Sequence, residues 1–237
     1  AIKSFETLNS LNFIDGIIIV SSKDNKSKFK KFIAENSFSK TIELITGSDT
    51  RAESMINALD FISQNKIITD YIIIHDAARP YASEKLYETG IDLLSKFDAV
   101  VPGLTPTDTV KLIDKSKLII ETLDRKKLIN AQTPQFFNSK ILLDSVKEID
   151  QYDIYTDDSS ILDNKSLNIK VITGEETNIK ITTKNDVKSG IIQNGIGFDI
   201  HRLIIGNKLR LGAVDIDYPY TLAVSYTHLR AHETYPH

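Results

Sequence analysis

The chain has 237 residues, of which 41% are hydrophobic and 26% charged, with a formal net charge of −3 and no cysteine. Its length allows one large domain with part of a second, while the composition excludes disulfides, thiolate metal sites and the basic surface typical of nucleic-acid binding. No apolar run approaches the roughly 18 residues that span a bilayer, and the N-terminus lacks a secretory signal, so we expect a cytoplasmic enzyme without membrane or nucleic-acid partners.

The first half of the chain alternates short apolar runs with amphipathic runs. These patterns predict strands at 16–22, 41–47, 71–77 and 98–103 and helices at 26–36, 51–65 and 83–97. The run YIII that opens the third strand is typical of a strand buried on both faces. The order strand, helix, strand, helix predicts an α/β fold with a mostly parallel sheet.

The second half departs from this alternation. Residues 108–125 predict two strands around a turn at 114–117, which together form a hairpin arm. After the arm, the patterns predict helices at 138–150, 157–164 and 184–192, and strands at 167–175 and 178–183.

Polar residues at the carboxyl ends of the parallel strands are the first candidates for a ligand site. Ser48, Asp49 and Ser54 stand where the second strand gives way to a helix. A helix N-terminus offers free N–H groups to anions and polar ligand edges. Ser48 or Asp49 is equally suited to capping that helix, and the residues alone leave both interpretations open.

The third predicted strand runs into His75-Asp76-Ala77-Ala78-Arg79-Pro80. Asp76 could bind a ribose hydroxyl or a metal ion beside phosphates. Arg79 could bind a phosphate or close a pair with Asp76. Lys180 faces away from its apolar neighbours on the predicted strand, where it either reaches solvent or binds a phosphate.

Further compact polar groups lie at the edges of apolar runs: Asp108-Thr109, Asp124-Arg125, Gln132–Gln135, Thr156–Asp158 and Asn178–Lys180. Nucleotidyl transfer depends on positioning and on neutralising charge, for which Lys, Arg and Mg²⁺ are suited. No Ser-His-Asp order and no metalloprotease motif stands out.

A different pair occurs near the end of the chain. Asp199 and His201 are two apart in GIGFDIHR, so a strand would point both to one side. An acid and an imidazole suit zinc or a similar divalent ion, although such a pair is also commonly just solvated.

The polar groups HDAARP, TDT, LDR, AQTPQFF, TDDSS and NIKITT occur in an order that resembles the 2-C-methyl-D-erythritol 4-phosphate cytidylyltransferases. The resemblance covers roughly residues 5 to 190. It implies a nucleotide-diphospho-sugar-transferase-like, Rossmann-like α/β fold with a β-arm that crosses between the subunits of a dimer. It also implies transfer of CMP from CTP to methylerythritol phosphate with Mg²⁺ and release of pyrophosphate.

The same resemblance assigns roles to individual residues. Ser48, Asp49 and Ser54 match positions near the cytosine and ribose, and Asp76 matches a carboxylate on the nucleotide and metal side. The remaining matches hold the second substrate. Thr109 and Arg125 would bind its phosphate from the neighbouring arm, with Thr156 and Lys180 positioning the attacking group.

The N-terminus departs from that family, which begins with a strand and a glycine-rich loop that cradles the triphosphate. This chain has no glycine-rich loop before Gly16. We therefore expect the 237-residue chain to bind CTP poorly and to turn over little or not at all.

The C-terminal region resembles a second family. GIGFDIHR and LRLGAVDIDYP are similar to the opening of the 2-C-methyl-D-erythritol 2,4-cyclodiphosphate synthases, whose fused forms follow the cytidylyltransferase. The resemblance implies that Asp199 and His201 are ligands of Zn²⁺ or another divalent ion in a trimeric α+β enzyme. His232 is the residue in register for a third ligand, and we interpret it as a chance match. The site is therefore expected to be incomplete, with no metal held by Asp199 and His201 in this chain.

Three segments are therefore expected. Residues 1–190 would form the cytidylyltransferase domain, residues 191–223 the start of a truncated cyclase domain, and residues 224–237 a tail that resembles translated adaptor sequence. Two alternatives remain: a non-catalytic or differently specific sugar-nucleotide-binding domain, and a dimerisation module that uses the arm and has no ligand.

Overall fold

A computed structural model describes residues 2–148, 157–163, 166–183, 186, 203–206, 208–211 and 214–222. The chain divides into two compact units, residues 1–187 and residues 188–237. Among the described residues, no helix combines the length and the apolar composition needed to cross a membrane. Location in the cytoplasm stays a prediction.

The first unit contains five helices among its described residues: α1 (Ile2–Ser10), α2 (Lys23–Glu35), α3 (Arg51–Gln64), α4 (Glu84–Leu93) and α5 (Ser139–Val146). Its described strands are β1 (Gly16–Ser21), β2 (Thr41–Thr46), β3 (Tyr71–Ile74), β4 (Ala99–Leu104), β5 (Lys111–Ile113), β6 (Ile119–Thr122), β7 (Asn130–Ala131), β8 (Gln135–Asn138) and β9 (Ile169–Thr173). Every predicted strand before residue 175 is present, and the helix predicted at 157–164 is a 3-10 helix, Ser159–Leu162.

The strands form a mixed arrangement. β1 pairs with β2 in parallel, and a five-stranded sheet has the order β3-β8-β4-β7 with β9 on β4. Within it, β3, β4 and β9 run in one direction, whereas β8 is antiparallel to both β3 and β4. The α/β class is confirmed, but the described five-stranded sheet is mixed rather than mostly parallel, because β8, which no pattern predicted, runs antiparallel between β3 and β4.

The core lies on both faces of this sheet because β8 alternates its aromatic residues. Phe137 packs with α3 and α5, and Phe136 packs with α4 on the opposite face. Both rings are fully buried. Gly90 lets α4 approach closely, since a Cβ at that position would overlap the ring of Phe136.

The predicted arm is present as the antiparallel hairpin of β5 and β6. Its turn places Lys117 at a φ of 64°, and the carboxylate of Asp114 accepts the backbone N–H groups of Ser116 and Leu118. All residues of both strands are exposed to solvent.

Near the end of this unit, one predicted strand is absent and one predicted helix lies almost entirely outside the described residues. Residues 178–183 were expected to form a strand, but they are not one. The N–H of Ile181 donates to the carbonyl of Ala78 at 2.8 Å, so this segment is tied to the loop after β3 rather than to a sheet. The helix predicted at 184–192 lies outside the described residues except for Asp186, which is helical.

The second unit contains four described strands: β10 (Leu203–Ile205), β11 (Leu209–Leu211), β12 (Val214–Ile216) and β13 (Tyr220–Leu222). β10 pairs with β13, and β11 pairs with β12, both antiparallel. Residues 187–202 and 223–237, which include the whole predicted tail, lie outside the described residues. The truncated cyclase domain and the expected boundaries at 190 and 223 stay predictions.

Candidate active site

Asp76 lies at the centre of a cluster of charged residues beyond the carboxyl end of β3. Lys180 Nζ lies 2.9 Å from Asp76 Oδ2, and Arg51 Nε donates to Oδ1 at 3.1 Å. Arg79 Nε lies 3.8 Å from Oδ2. One carboxylate thus faces three cations, which leaves an excess of positive charge where strand ends favour ligand binding.

The electrostatic balance keeps this carboxylate ionised. Burial by itself would raise the pKa of Asp76, but the hydrogen bond from Lys180 and the charge of Arg51 outweigh burial and hold the pKa below its usual value. Burial lowers the pKa of Arg79, and the nearby Asp76 only partly opposes this effect.

A hydrogen-bonded chain fixes the loop that carries Asp76. His75 Nε2 lies 3.0 Å from the carbonyl of Arg79, which can only accept, so this nitrogen carries the proton. His75 Nδ1 then accepts from the Thr133 hydroxyl at 3.3 Å, and that hydroxyl accepts the N–H of Asp76 at 2.9 Å. This series of hydrogen bonds requires a neutral imidazole. Burial lowers the pKa of His75 to about 4, which keeps the ring neutral at pH 7.

A second set of hydrogen bonds places Lys180 beside Asp76. Asn178 is fully buried, and its side-chain amide donates to the carbonyl of Thr133 at 2.8 Å. The carbonyl of Asn178 accepts from Arg79 Nη1 at 2.8 Å and from Gln132 Nε2 at 3.4 Å. These bonds explain why Lys180, although 42% exposed, does not simply extend into solvent.

Arg51, the first residue of α3, joins the cluster to another segment. Its Nη1 and Nη2 donate to Asp158 Oδ1 and Oδ2 at 2.8 and 2.6 Å. Asp158 is 1% exposed. Burial raises the pKa of Asp158, and the hydrogen bonds from Arg51 oppose that rise.

The residues proposed for the nucleotide lie at the start of the same helix. The helix is capped by Thr50 through a reciprocal pair of hydrogen bonds with Glu53, so the alternative interpretation that Ser48 or Asp49 caps it is wrong. Ser54 Oγ instead ties the loop by bonding the N–H and carbonyl of Ser48 at 2.9 and 3.3 Å. Asp49 is exposed, and its role stays a prediction.

Thr109 and Arg125 belong to the arm region rather than to the cluster. Arg125 begins a 3-10 helix after β6 and its guanidinium donates to the carbonyl of Thr107. Asp124 caps that helix by accepting the N–H of Lys126. In the hydrogen bonds and ion pairs of the described residues, neither arm residue meets Asp76, so the structure does not bring all the candidates together within one chain.

Three other candidates, Thr156, Asp199 and His201, lie outside the described residues. Their proposed roles stay predictions.

The sequence assigned no role to several residues that build the cluster: Arg51, His75, Thr133, Asn178 and Asp158. Thr133 stands in the AQTPQFF motif, and each of the others lies one or two positions from an assigned residue. That proximity was the available signal, but sequence spacing does not show which side chains meet across loops.

The cluster offers few ligands to a metal ion. Within the described part of the chain, no group of three or more His, Asp or Glu side chains could hold one. Mg²⁺ usually takes only one or two protein carboxylates and completes its shell with phosphate oxygens and water. Asp76 fits that limited role, provided that Lys180 or Arg51 gives up one carboxylate oxygen.

Comparison with known proteins identifies the family. The sequence model of the 2-C-methyl-D-erythritol 4-phosphate cytidylyltransferase family matches residues 2–192. The chain belongs to this family. The function predicted from the sequence, transfer of CMP from CTP to 2-C-methyl-D-erythritol 4-phosphate, is thereby confirmed at the level of the family.

Individual relatives support this assignment. The chain is 40% identical over 185 residues to the 2-C-methyl-D-erythritol 4-phosphate cytidylyltransferase of Clostridium tetani, covering 78% of this chain and 74% of that protein. Among solved structures, the 4-diphosphocytidyl-2C-methyl-D-erythritol synthase of Anaerococcus prevotii has a TM-score of 0.70 and 31% identity, covering 79% and 82% of the two chains.

Bifunctional proteins are similar over a longer stretch. The bifunctional enzyme IspD/IspF of Pelagibacter ubique is 39% identical over 217 residues, which is 91% of this chain but 56% of that protein. The structure of the bifunctional IspDF of Campylobacter jejuni has a TM-score of 0.65 and 31% identity, covering 93% of this chain and 56% of that one. The chain therefore spans about half the length of these relatives.

Proposed function

We propose that the charge cluster at Asp76 is the catalytic centre for CMP transfer to methylerythritol phosphate. A phosphate oxygen of that substrate attacks the α-phosphorus of CTP, the bond from this phosphorus to the β-phosphate oxygen breaks, and pyrophosphate leaves. The single observation that carries the proposal is the 2.9 Å contact of Lys180 with Asp76 beside Arg51 and Arg79. Such fixed cations suit a reaction in which negative charge builds on phosphate oxygens.

Within this scheme, Lys180 holds the attacking phosphate. Because its ammonium group is already oriented by Asp76, little reorganisation is needed when the substrate arrives. No protein nucleophile takes part, since the substrate phosphate is itself the nucleophile.

Thr109 and Arg125 would complete the substrate site of a neighbouring subunit. The arm that carries them has both strands exposed and presents five large apolar side chains to solvent: Leu112, Ile113, Leu118, Ile119 and Ile120. A patch of this kind on a soluble surface usually marks an interface. We therefore propose a dimer formed through the arm.

The nucleotide would lie against the loop before α3. Ser48 and Ser54 shape that loop through their mutual hydrogen bonds, and Asp49 stands exposed between them. We propose that these three residues face the cytosine and ribose, and that Thr156 approaches the second substrate from the segment before Asp157.

Mg²⁺ is proposed as the cofactor, with Asp76 as its ligand from the chain. When bound, the ion neutralises charge on the triphosphate. Removing divalent ions should therefore weaken CTP binding, which titration calorimetry with and without a chelator would test.

The decisive experiment compares the wild-type chain with Lys180→Met in an assay of CMP transfer from CTP, at a protein concentration high enough to measure the low turnover expected of a chain without a glycine-rich loop before Gly16. We expect kcat to fall about 100-fold, the loss typical of removing one fixed charge that stabilises a transition state. Lys147→Met is the matched control, since Lys147 is an exposed lysine paired with Asp144 on the surface. Equal turnover of the wild type and Lys180→Met would contradict the proposed role.

A second activity is favoured by the longer matches to bifunctional relatives. Those matches extend beyond residue 192, where the cytidylyltransferase family model ends. We propose that the region containing Asp199 and His201 belongs to a cyclodiphosphate synthase domain that binds Zn²⁺ or another divalent ion and assembles as a trimer. Zn²⁺ titration of a fusion that joins this chain to the remaining cyclase region of the Pelagibacter ubique relative, and of its His201→Asn variant, would test this; equal Zn²⁺ affinity in both would contradict it.

A further inference from the structure

Arg51 connects two carboxylates that belong to different segments of the first unit. Its Nη1 and Nη2 form a two-pronged pair with Asp158, while its Nε donates to Asp76 Oδ1 and Nη2 also lies 3.1 Å from that oxygen. The planar guanidinium can make this double contact only in one orientation, because its N–H groups have fixed directions. Three of these groups donate hydrogen bonds to the two acids, and Nη2 adds an ion-pair contact with Asp76.

The two ends of this bridge differ in burial. Asp158 is 1% exposed, whereas the side chain of Arg51 is 40% exposed. A half-exposed arginine would ordinarily sample several rotamers, and ordering it costs conformational entropy. The buried carboxylate of Asp158 supplies a fixed anchor that offsets this cost through two charge-assisted hydrogen bonds.

A buried ion pair is by itself weak evidence of a stabilising role. The free-energy cost of removing a carboxylate from water often equals the favourable energy of its attraction to the partner cation. An apolar pair of similar volume can therefore stabilise the fold equally well. The placement of Asp158 is better explained by the other contact of Arg51. Arg51 also binds Asp76 Oδ1, while Asp76 Oδ2 contacts Lys180.

We propose that Asp158 is a positioning residue for CMP transfer: it orients Arg51, which fixes the carboxylate of Asp76 and, through it, the ammonium of Lys180. This inference rests on the proposed function of the cluster. Asp158 touches neither Asp76 nor Lys180 by a hydrogen bond among those described, so its influence passes through Arg51.

The inference is tested first without substrate, in Asp158→Asn and the matched control Asp163→Asn. Asp163 is an exposed acid in the same segment, so the control removes the same charge. Hydrogen exchange of the Arg51 Nε–H, followed by NMR, reports its contact with Asp76. We expect exchange at least about tenfold faster in Asp158→Asn than in the wild type or the control, because fixed charge-assisted bonds protect this proton.

The second readout is kinetic and separates positioning from binding. Asp158→Asn should lower kcat about tenfold while KM for CTP changes less than about threefold, as expected when an interaction is made only in the transition state. Arg51→Lys keeps the positive charge but cannot span both carboxylates, so it should lose a similar factor. The kcat of the double variant should be little lower than that of either single variant, since both substitutions disrupt the same Arg51 bridge between Asp158 and Asp76.

Two results would overturn the inference: unchanged exchange in Asp158→Asn, or losses that multiply in the double variant. Should Asp158→Asn fail to fold, the kinetics of Arg51→Lys decide, and wild-type kcat in that variant overturns the inference as well. Little or no CMP transfer by the wild-type chain is already expected from the lack of a glycine-rich loop before Gly16 and leaves this inference testable, since the exchange measurement requires no substrate.

Discussion

Asp76 shares its two carboxylate oxygens between Arg51 and Lys180, and this division explains much of the local chemistry. Desolvation and ion pairing act on it in opposite directions, and pairing prevails, so the pKa of Asp76 lies below its usual value. The carboxylate is therefore ionised at neutral pH and can hold Lys180 in place. The sequence singled out both residues, but it did not reveal that they contact each other.

His75 allows a prediction about pH at the same scale. Its folded-state pKa is about 4, against an ordinary value of 6.5, because burial disfavours the charged ring. Between these values the unfolded chain binds more protons than the folded one, so stability is complete above pH 6.5 and falls as the pH drops toward 4. The loss should reach roughly 3 kcal/mol.

Urea unfolding at pH 7 and pH 4.5 measures this loss. The variant His75→Gln is the control, because it removes the titrating ring and should abolish the difference attributable to it. Equal pH dependence in the variant and the wild type would show that other groups cause the loss.

Helix α4 and strand β8 illustrate how elements depend on one another. Gly90 is buried on α4 directly against Phe136 of β8. A glycine inside a helix ordinarily weakens it by about 1 kcal/mol relative to alanine. Here the absence of a side chain permits close packing against Phe136, so glycine is preferred over alanine at this helical position.

We therefore expect Gly90→Ala to destabilise the chain by about 1–3 kcal/mol, the range typical of overpacking a core. Chemical denaturation measures the change in the free energy of unfolding. Glu88→Ala on the exposed side of α4 is the control and should change it by less than about 0.5 kcal/mol. A stabilising Gly90→Ala would show that Phe136 can move aside.

The arm permits a prediction about assembly. Replacing Ile119 and Ile120 with threonine removes exposed apolar area but keeps strand propensity. We expect the double variant to remain folded and to shift toward the monomer at micromolar concentration in analytical ultracentrifugation. Glu121→Thr, in the same strand, should leave the assembly unchanged. A wild-type chain that is already monomeric would contradict the proposed dimer.

The whole molecule consists of two units whose described strands pair only within their own unit. The buried hydrophobic clusters of the described residues lie between Phe5 and Ile172, entirely within the first unit. We expect a chain that ends at Val187 to unfold with a midpoint within about 4 °C of the full chain, the shift that corresponds to about 1 kcal/mol or less. Thermal unfolding followed by circular dichroism measures this midpoint.

A chain that ends at Ser166 is the contrasting variant, because it lacks β9, which pairs with β4 along five residues. It should lose cooperative unfolding. If ending the chain at Val187 had the same effect, the second unit would have to be part of the first unit's core.

The sequence by itself determined most of the strands and helices up to residue 175, although not α1, β7 or β8, together with the arm and the family. Apolar periodicity, turn chemistry and the order of polar motifs are local properties, so they can be read along the chain. Only the tertiary structure decided that β8 runs antiparallel between β3 and β4, that residues 178–183 are not a strand, and that Arg51 bridges Asp76 and Asp158. These features depend on which distant segments meet, and neither residue type nor spacing carries that information.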